Sequence, residues 1–188
     1  MKTNLIKKGF HRPLALLPAF VRSMGWKEFY MDRTFMFTEK SKYNLNDADQ
    51  SDWNKLVGVC YGIFGIHKNS DRMAWRYDVE NDLFELATYW YNNGERGYKI
   101  ISSVKADEEF RVRIRVIYRK KQYRTEYELY KVGEKFTYVN YHDNISKYNK
   151  FRCSCWIYFG GNRKVPKDIE VLHSYHNQIT GLEKNKSE

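Results

Sequence analysis

From about residue 28 onward the chain alternates apolar and polar positions with a period of two. In "EFRVRIRVIYR" (109–119), Phe110, Val112, Ile114, Val116 and Tyr118 share one face and Arg111, Arg113, Arg115 and Arg119 the other, as in a half-buried strand. "QYRTEYELYK" (122–131) repeats the pattern with Tyr123, Thr125, Tyr127 and Leu129 inward. A turn centred on Lys120-Lys121 pairs the two segments. That register sets Arg115 opposite Glu126, Arg113 opposite Glu128, Ile114 opposite Tyr127 and Val112 opposite Leu129. Charge and core match at once, so the arginine ladder reads first as a salt-bridged outer face.

The same test works upstream. "RMAWRYD" (72–78) and "LFELATYWY" (83–91) flank the turn-rich "VEND", which sets Trp75 opposite Leu86, Tyr77 opposite Phe84 and Arg76 opposite Glu85. The opposite face then carries Arg72, Ala74, Ala87, Tyr89 and Tyr91. Two alanines make a shallow floor walled by arginine and tyrosine, a surface that fits a flat polar ligand such as a sugar ring and equally fits a packed aromatic sheet.

Further strands are predicted at 28–38, 55–64, 97–103, 135–141, 151–159 and 169–173, with a hairpin turn at Asn93-Gly94 and one short helical turn within 44–55, capped by Asp or Ser. About ten short strands with three prolines and no longer helical stripe predict an all-β fold: an antiparallel β-sandwich of the jelly-roll, concanavalin-like type. The expected organisation is an N-terminal arm or extra strand over 1–27, a sandwich over 28–176 and a disordered tail over 177–188. Phe10, Leu14, Phe20 and Trp26 in the first segment need an apolar surface to dock on.

Composition adds a large core, with 42% hydrophobic and 17% aromatic residues, and a formal charge of +10 from 33 Lys and Arg against 23 Asp and Glu. The charge suits contact with a polyanion (nucleic acid, anionic polysaccharide or an acidic protein surface), a carbohydrate, or an assembly partner in a virion or homo-oligomer, and also suits a solvated basic surface. Cys60, Cys153 and Cys155 lack metal-type spacing, and Cys153 and Cys155 share one face of a strand as packed thiols, which fits a reducing compartment. The run Leu14–Val21 is broken by Pro18 and lacks a small-x-small cleavage site, so a cytoplasmic or virion setting is expected rather than secretion, and no stretch reaches the ~20 apolar residues of a membrane span.

Candidate chemistry is sparse. "FGIHKNSDRMAW" (64–75) gathers His67, Asn69, Ser70 and Arg72 near the open face of the second hairpin. There His67 is a candidate proton acceptor, Asn69 and Arg72 candidates for neutralising a carboxylate, and Tyr89 a candidate proton donor, roles that suit β-elimination on a uronic-acid polymer. As a binding surface the same region offers Asn69, Arg72, Tyr89 and Tyr91, joined by Tyr158 and Asn162. "YFGGNRKVPKD" (158–168) reads mainly as a corner: Gly160 and Gly161 free the backbone, Asn162 tolerates left-handed geometry, and Asp168 is placed to cap loop amides. Two oxygen ligands do not make a calcium site, no metal or cofactor is expected, and GxSxG, Walker, HExxH and CxxC signatures are missing.

"DQSDWNKLVGVCYGIF", "HKNSDRMAWRYD", "YWYNNGERG" and "YFGGNRKVPKDI", in that order over about 28–172, resemble a family of small, largely uncharacterised jelly-roll proteins of bacteria and their phages. The resemblance implies the fold and a virion setting. Its members often carry a histidine before the aspartate of the last motif, where this chain has Lys167. A second, partial similarity is to jelly-roll alginate lyases, whose Gln-Ile-His and Tyr-Phe-Lys-Ala-Gly motifs are matched in order by Gly65-Ile66-His67 and Tyr158-Phe159-Gly160-Gly161. Glycines replace the glutamine and the lysine-alanine pair, and the arginine-rich first motif of those enzymes has no clear counterpart. Two functions follow: a non-enzymatic binding or structural module, and a lyase acting on a uronate polysaccharide through His67, Arg72 and Tyr89.

Overall fold

The computed structural model describes residues 1–13, 29–62, 66–119, 122–131, 137–144 and 152–176. Among them run eleven strands: β1 Lys2–Ile6, β2 Phe29–Phe37, β3 Asn54–Tyr61, β4 Ser70–Asp78, β5 Leu83–Asn92, β6 Glu95–Val104, β7 Glu109–Arg119, β8 Gln122–Lys131, β9 Thr137–Asn144, β10 Arg152–Cys155 and β11 Ile169–Tyr175. They form a six-stranded sheet in the order β1-β11-β2-β7-β8-β9 and a five-stranded sheet in the order β10-β3-β4-β5-β6. The strand pairings among the described residues are all antiparallel. This is the sandwich of jelly-roll type that the alternation predicts.

Both hairpin registers come out as read. Arg115 faces Glu126, Arg113 faces Glu128, Ile114 faces Tyr127 and Val112 faces Leu129. Arg76 faces Glu85, Trp75 faces Leu86 and Tyr77 faces Phe84. The short helical turn is a 3-10 turn, Ala48–Ser51, whose Asp47 cap accepts the Asp49 amide. One expectation changes. The strand predicted over 151–159 is only Arg152–Cys155, after which Tyr158 makes a single bridge to Lys55. The extra strand of the N-terminal segment is Lys2–Ile6, which pairs with β11, and beyond it Gly9, Phe10 and His11 bond to Val165 and Phe159. Leu14, Phe20, Trp26 and the tail over 177–188 lie outside the described residues.

Inward positions of the two sheets meet in one aromatic-rich core. Phe37 joins the layers, with ring centroids 4.5 Å from Phe84, 4.7 Å from Trp75 and 5.4 Å from Phe110. A polar seam also crosses between the sheets. Tyr61 and Thr125 donate to Asp71 Oδ2 at 2.6 and 2.7 Å, and the Arg152 guanidinium lies 4.4 Å from the Tyr61 ring centre. Burial and the neighbouring Asp71 carboxylate raise the Tyr61 phenol well above its ordinary range.

The outer face of the six-stranded sheet is the arginine ladder. Asp32, only 4% exposed, accepts from Arg111 at 2.6 and 2.7 Å and from Arg113 at 3.0 Å, and Arg115 pairs with Glu126. A cavity of about 210 Å³ opens between Tyr30, Arg113, Arg115, Glu126 and Glu128. Its arginines and carboxylates neutralise one another, which leaves little field for a charged ligand.

Candidate functional site: a cationic aromatic face

The outer face of the five-stranded sheet can be read row by row from the pairing. One row crosses the strands as Tyr158, Lys55, Ala74, Ala87 and Ile100. The next runs Cys155, Gly58, Arg72, Tyr89 and Tyr98. A third holds Cys153, Cys60, Ser70, Tyr91 and Arg96. Gly58 is what shapes the middle row. A Cβ there would stand 2.6 Å from Arg72 Cγ, so the arginine side chain lies in the space that glycine leaves open.

Arg72 is 2% exposed, with its guanidinium carbon 5.4 Å from the ring centres of both Tyr89 and Tyr91. Its Nε has no hydrogen-bond partner, and Nη2 reaches the Ile66 carbonyl only at 3.5 Å. No ion pair to a described acidic residue is found for it. Two other guanidiniums are also buried, Arg152 more deeply and Arg33 less, but both are on the inward side of their strands: Arg33 donates to the Asp32 carbonyl, and Arg152 lies over Tyr61.

Lys55 is a second buried cation on this face. It is 9% exposed, its amine donates to the Trp53 carbonyl, and its Nζ lies 4.5 Å from the centre of the Tyr89 ring. Burial, reinforced by the Arg72 charge, pulls its pKa down to about 7. Tyr89 and Tyr91 hydroxyls are 3.3 Å apart, and burial together with that contact pushes Tyr89 up to about 12.

His67 comes to the rim, its ring edge-on to Tyr91 with centroids 5.5 Å apart. Burial, Arg72 and Lys55 all lower its pKa, so the imidazole is neutral at pH 7. The structure therefore brings His67, Arg72, Tyr89 and Tyr91 together. Asn69 is engaged elsewhere: it is 6% exposed and its Oδ1 accepts the Asn93 amide, bracing the β5–β6 turn. Tyr158 stands at the flank, 37% exposed and stacked on His11 at 5.2 Å, while Asn162 is exposed in the turn beyond it.

The alanine floor is not bare. Trp53, 6% exposed, packs with Ala74, Ala87 and Tyr89, contacts Tyr98 at 5.2 Å between centroids, and is covered by the Arg76 guanidinium at 4.6 Å. The protein thus places its own indole where the sequence left room for a flat ligand. The exposed residues bordering Arg72 are His67 and Arg96, with Tyr91 half-buried between them.

The glycine corner after β10 props this floor from below. The Gly160 amide donates to Asn54 Oδ1, and a Cβ at Gly160 would come within 3.2 Å of Lys55 Nζ. Gly161 takes the left-handed backbone with φ +72°. Asp168 caps as expected, accepting the Lys8 amide at 2.8 Å and pairing with Lys7. The corner builds no ligand set of its own, but it holds Lys55 in place.

Cys60, Cys153 and Cys155 are free, buried and mutually packed, with burial and mutual contact raising the Cys60 and Cys153 thiols. Among the described residues no group of three His, Cys, Asp or Glu is arranged to hold a metal ion, and no helix is long and apolar enough to cross a membrane.

Lys55, Trp53 and Arg96 are absent from the sequence-derived site. Lys55 was hidden by its neighbours: "KLVGVC" reads as a continuously buried strand, and only the bulge between Lys55 and Val57 turns the amine outward. Arg96 could have been found by extending the β5 register across the Asn93-Gly94 turn, which sets it opposite Tyr91.

No family model and no curated protein matches the chain. Among solved structures it is similar to carbohydrate binding module CBM66 from Bacillus subtilis, at 11% identity over 81% of this chain and 74% of that one, with a TM-score of 0.37, a likeness too distant to bear on ligand or activity.

Proposed function

We propose that the chain is a binding module that takes an anionic saccharide, a uronate-containing chain, on the outer face of the five-stranded sheet, with Arg72 as the carboxylate anchor. The observation that carries this reading is the state of Arg72: 2% exposed, beside two tyrosine rings, with an orphaned Nε and no acidic partner among the described residues. A buried charge is stable only when paired, and a planar guanidinium matches a carboxylate with parallel hydrogen bonds. Tyr91 and the 53%-exposed Tyr98 supply apolar faces for the sugar ring on either side of that anchor. The virion setting rests on the sequence resemblance alone, and the packed free thiols support a reducing compartment.

Affinity electrophoresis through gels containing polygalacturonate, alginate or a neutral glucan tests the reading. Retardation by a uronate polymer, weakening with salt and lost in a folded Arg72→Gln variant, is the expected result. Equal retardation by the neutral glucan, or none by any uronate, overturns it.

A second reading, β-elimination, is favoured by one observation: neutral His67 sits against Tyr91 beside Arg72. In that reaction Arg72 neutralises the uronate carboxylate, His67 removes the proton on the adjacent carbon, and the Tyr89 or Tyr91 hydroxyl protonates the departing glycosidic oxygen as the new double bond forms. The unsaturated product absorbs near ~235 nm, so a rise abolished by His67→Ala supports the lyase and a flat trace across the panel eliminates it.

A further inference from the structure

Lys55 and Arg72 lie against the same ring, 4.5 and 5.4 Å from the centre of Tyr89, and both are at least nine-tenths buried. Arg72 faces the Lys55 amine from β4, Tyr89 from β5, Arg96 from β6, and His67 from the loop between β3 and β4. Asp52, ahead of β3, is the described carboxylate that attracts it, and Asp52 forms no ion pair with it. From the corner after β10, Gly160 approaches it, a Cβ there standing 3.2 Å from Nζ. Positive charge therefore outweighs negative charge around a desolvated amine.

Two buried cations without a counter-ion repel each other, and only one of them can relieve the repulsion by losing its proton. Arginine stays charged under all physiological conditions, whereas a buried lysine gives up its proton readily. We infer that Lys55 is the second cation of the ligand site and that the site takes up a proton on Lys55 together with its anion. This inference rests on the anionic-saccharide reading of the same face. The order of events is simple: the empty site holds Arg72 charged and Lys55 largely neutral above pH 7, an incoming carboxylate reverses the local potential, and the amine recovers its proton from solvent. Because a proton enters with the ligand, affinity falls as pH rises above about 7, approaching tenfold per pH unit where uptake is complete.

Two measurements on the full chain separate this inference from the reading beneath it. In the ligand-free protein, a ¹³C NMR titration of lysine Cε resonances should show one lysine with a midpoint near 7, absent from the spectrum of Lys55→Arg. All lysines titrating above ~10, the ordinary range, overturns the inference whatever the ligand. Calorimetry with an oligogalacturonide at pH 8 in phosphate and in Tris should then give apparent enthalpies that differ by the buffers' ionisation enthalpies times close to one proton. Lys55→Arg, which cannot shed its charge, should bind with no buffer dependence and a flat profile from pH 7 to 9. Binding by the wild type without buffer dependence overturns proton uptake and leaves Arg72 as anchor. A lysine titrating near 7 with no binding to oligogalacturonide or oligoalginate overturns the saccharide reading, and uptake with that ligand falls with it.

Discussion

The side chain of Arg72 occupies the volume that any side chain at Gly58 would need, with Cγ 2.6 Å from where a Cβ would stand. The opposing backbone at Asp71 and Arg72 crowds the same point, so the neighbour that must give way includes main chain. Gly58→Ala is therefore expected to displace Arg72, to lower stability by about 2–3 kcal/mol through overpacking, and to weaken retardation on a uronate gel. Chemical denaturation alongside the gel assay checks both effects. Unchanged stability and unchanged binding would show that the arginine has another resting place.

Two carboxylates on the outer face of the six-stranded sheet should differ sharply. Asp32 is buried beneath Arg111 and Arg113, and those bonds hold its carboxyl below its ordinary range against the opposing effect of burial. Asp32→Asn should cost about 3 kcal/mol, because it leaves two guanidiniums partly unpaired in a half-buried position. Glu126→Gln removes a partner from the more exposed Arg115 and should cost below ~1 kcal/mol. Urea unfolding of the two variants compares them directly, and equal losses would contradict the burial difference.

Acid should loosen the fold through His173. Burial, together with the positive charges of Arg33, Lys2 and the N-terminus, lowers its pKa from 6.5 to about 4. Between those values the unfolded chain binds a proton that the folded one does not, so stability present above pH 6.5 is lost as pH falls toward 4. The contribution at stake is of the order of 3 kcal/mol. Unfolding curves at pH 7, 5 and 4 should converge on a flatter dependence in His173→Asn, and identical slopes in the two proteins would place the acid sensitivity elsewhere.

Removing Trp53 should expose the alanine floor. Its indole covers Ala74 and Ala87 and touches Tyr98, so Trp53→Ala is expected to cost about 3 kcal/mol and to leave a slot beside Lys55. Denaturant midpoints measure the cost. A loss below ~1 kcal/mol would mean that the indole is not packed there.

What could be read from the residues followed from pairing rules. Arg113 opposite Glu128 and Arg76 opposite Glu85 are fixed by period two and a nearby turn, so local pattern was enough to place them. The convergence of His67, Arg72, Tyr89 and Tyr91 was legible for the same reason, since all belong to neighbouring strands or the loop joining them. Trp53 was not legible as the cover of the floor, because it enters from outside β3 and reaches across three strands to Tyr98. Nor was the pairing of β1 with β11, which no turn announces. Asn69 illustrates the converse error: a polar residue beside a candidate histidine proved to be turn chemistry, its side chain spent on the Asn93 amide.

Asn4 donates to the Val171 carbonyl across 167 residues of chain, and among the described residues β1 has no strand neighbour but β11. Closing so long a loop is entropically expensive, whereas the β4–β5, β5–β6 and β7–β8 hairpins close over a few residues. The hairpins therefore assemble early and the β1–β11–β2 edge late. Gly160 and Gly161 lie on the connection from β10 in the five-stranded sheet to β11 in the six-stranded one, so the corner beside Lys55 links this face to that late edge. Arg72 and the tyrosines belong to the hairpin-built part of the sheet, whereas Lys55 also touches the segment that leads to the late edge. On the proposed function, anion capture by both cations depends on that connection as well as on the hairpins, and a ligand that needs both would serve as a reporter of complete folding.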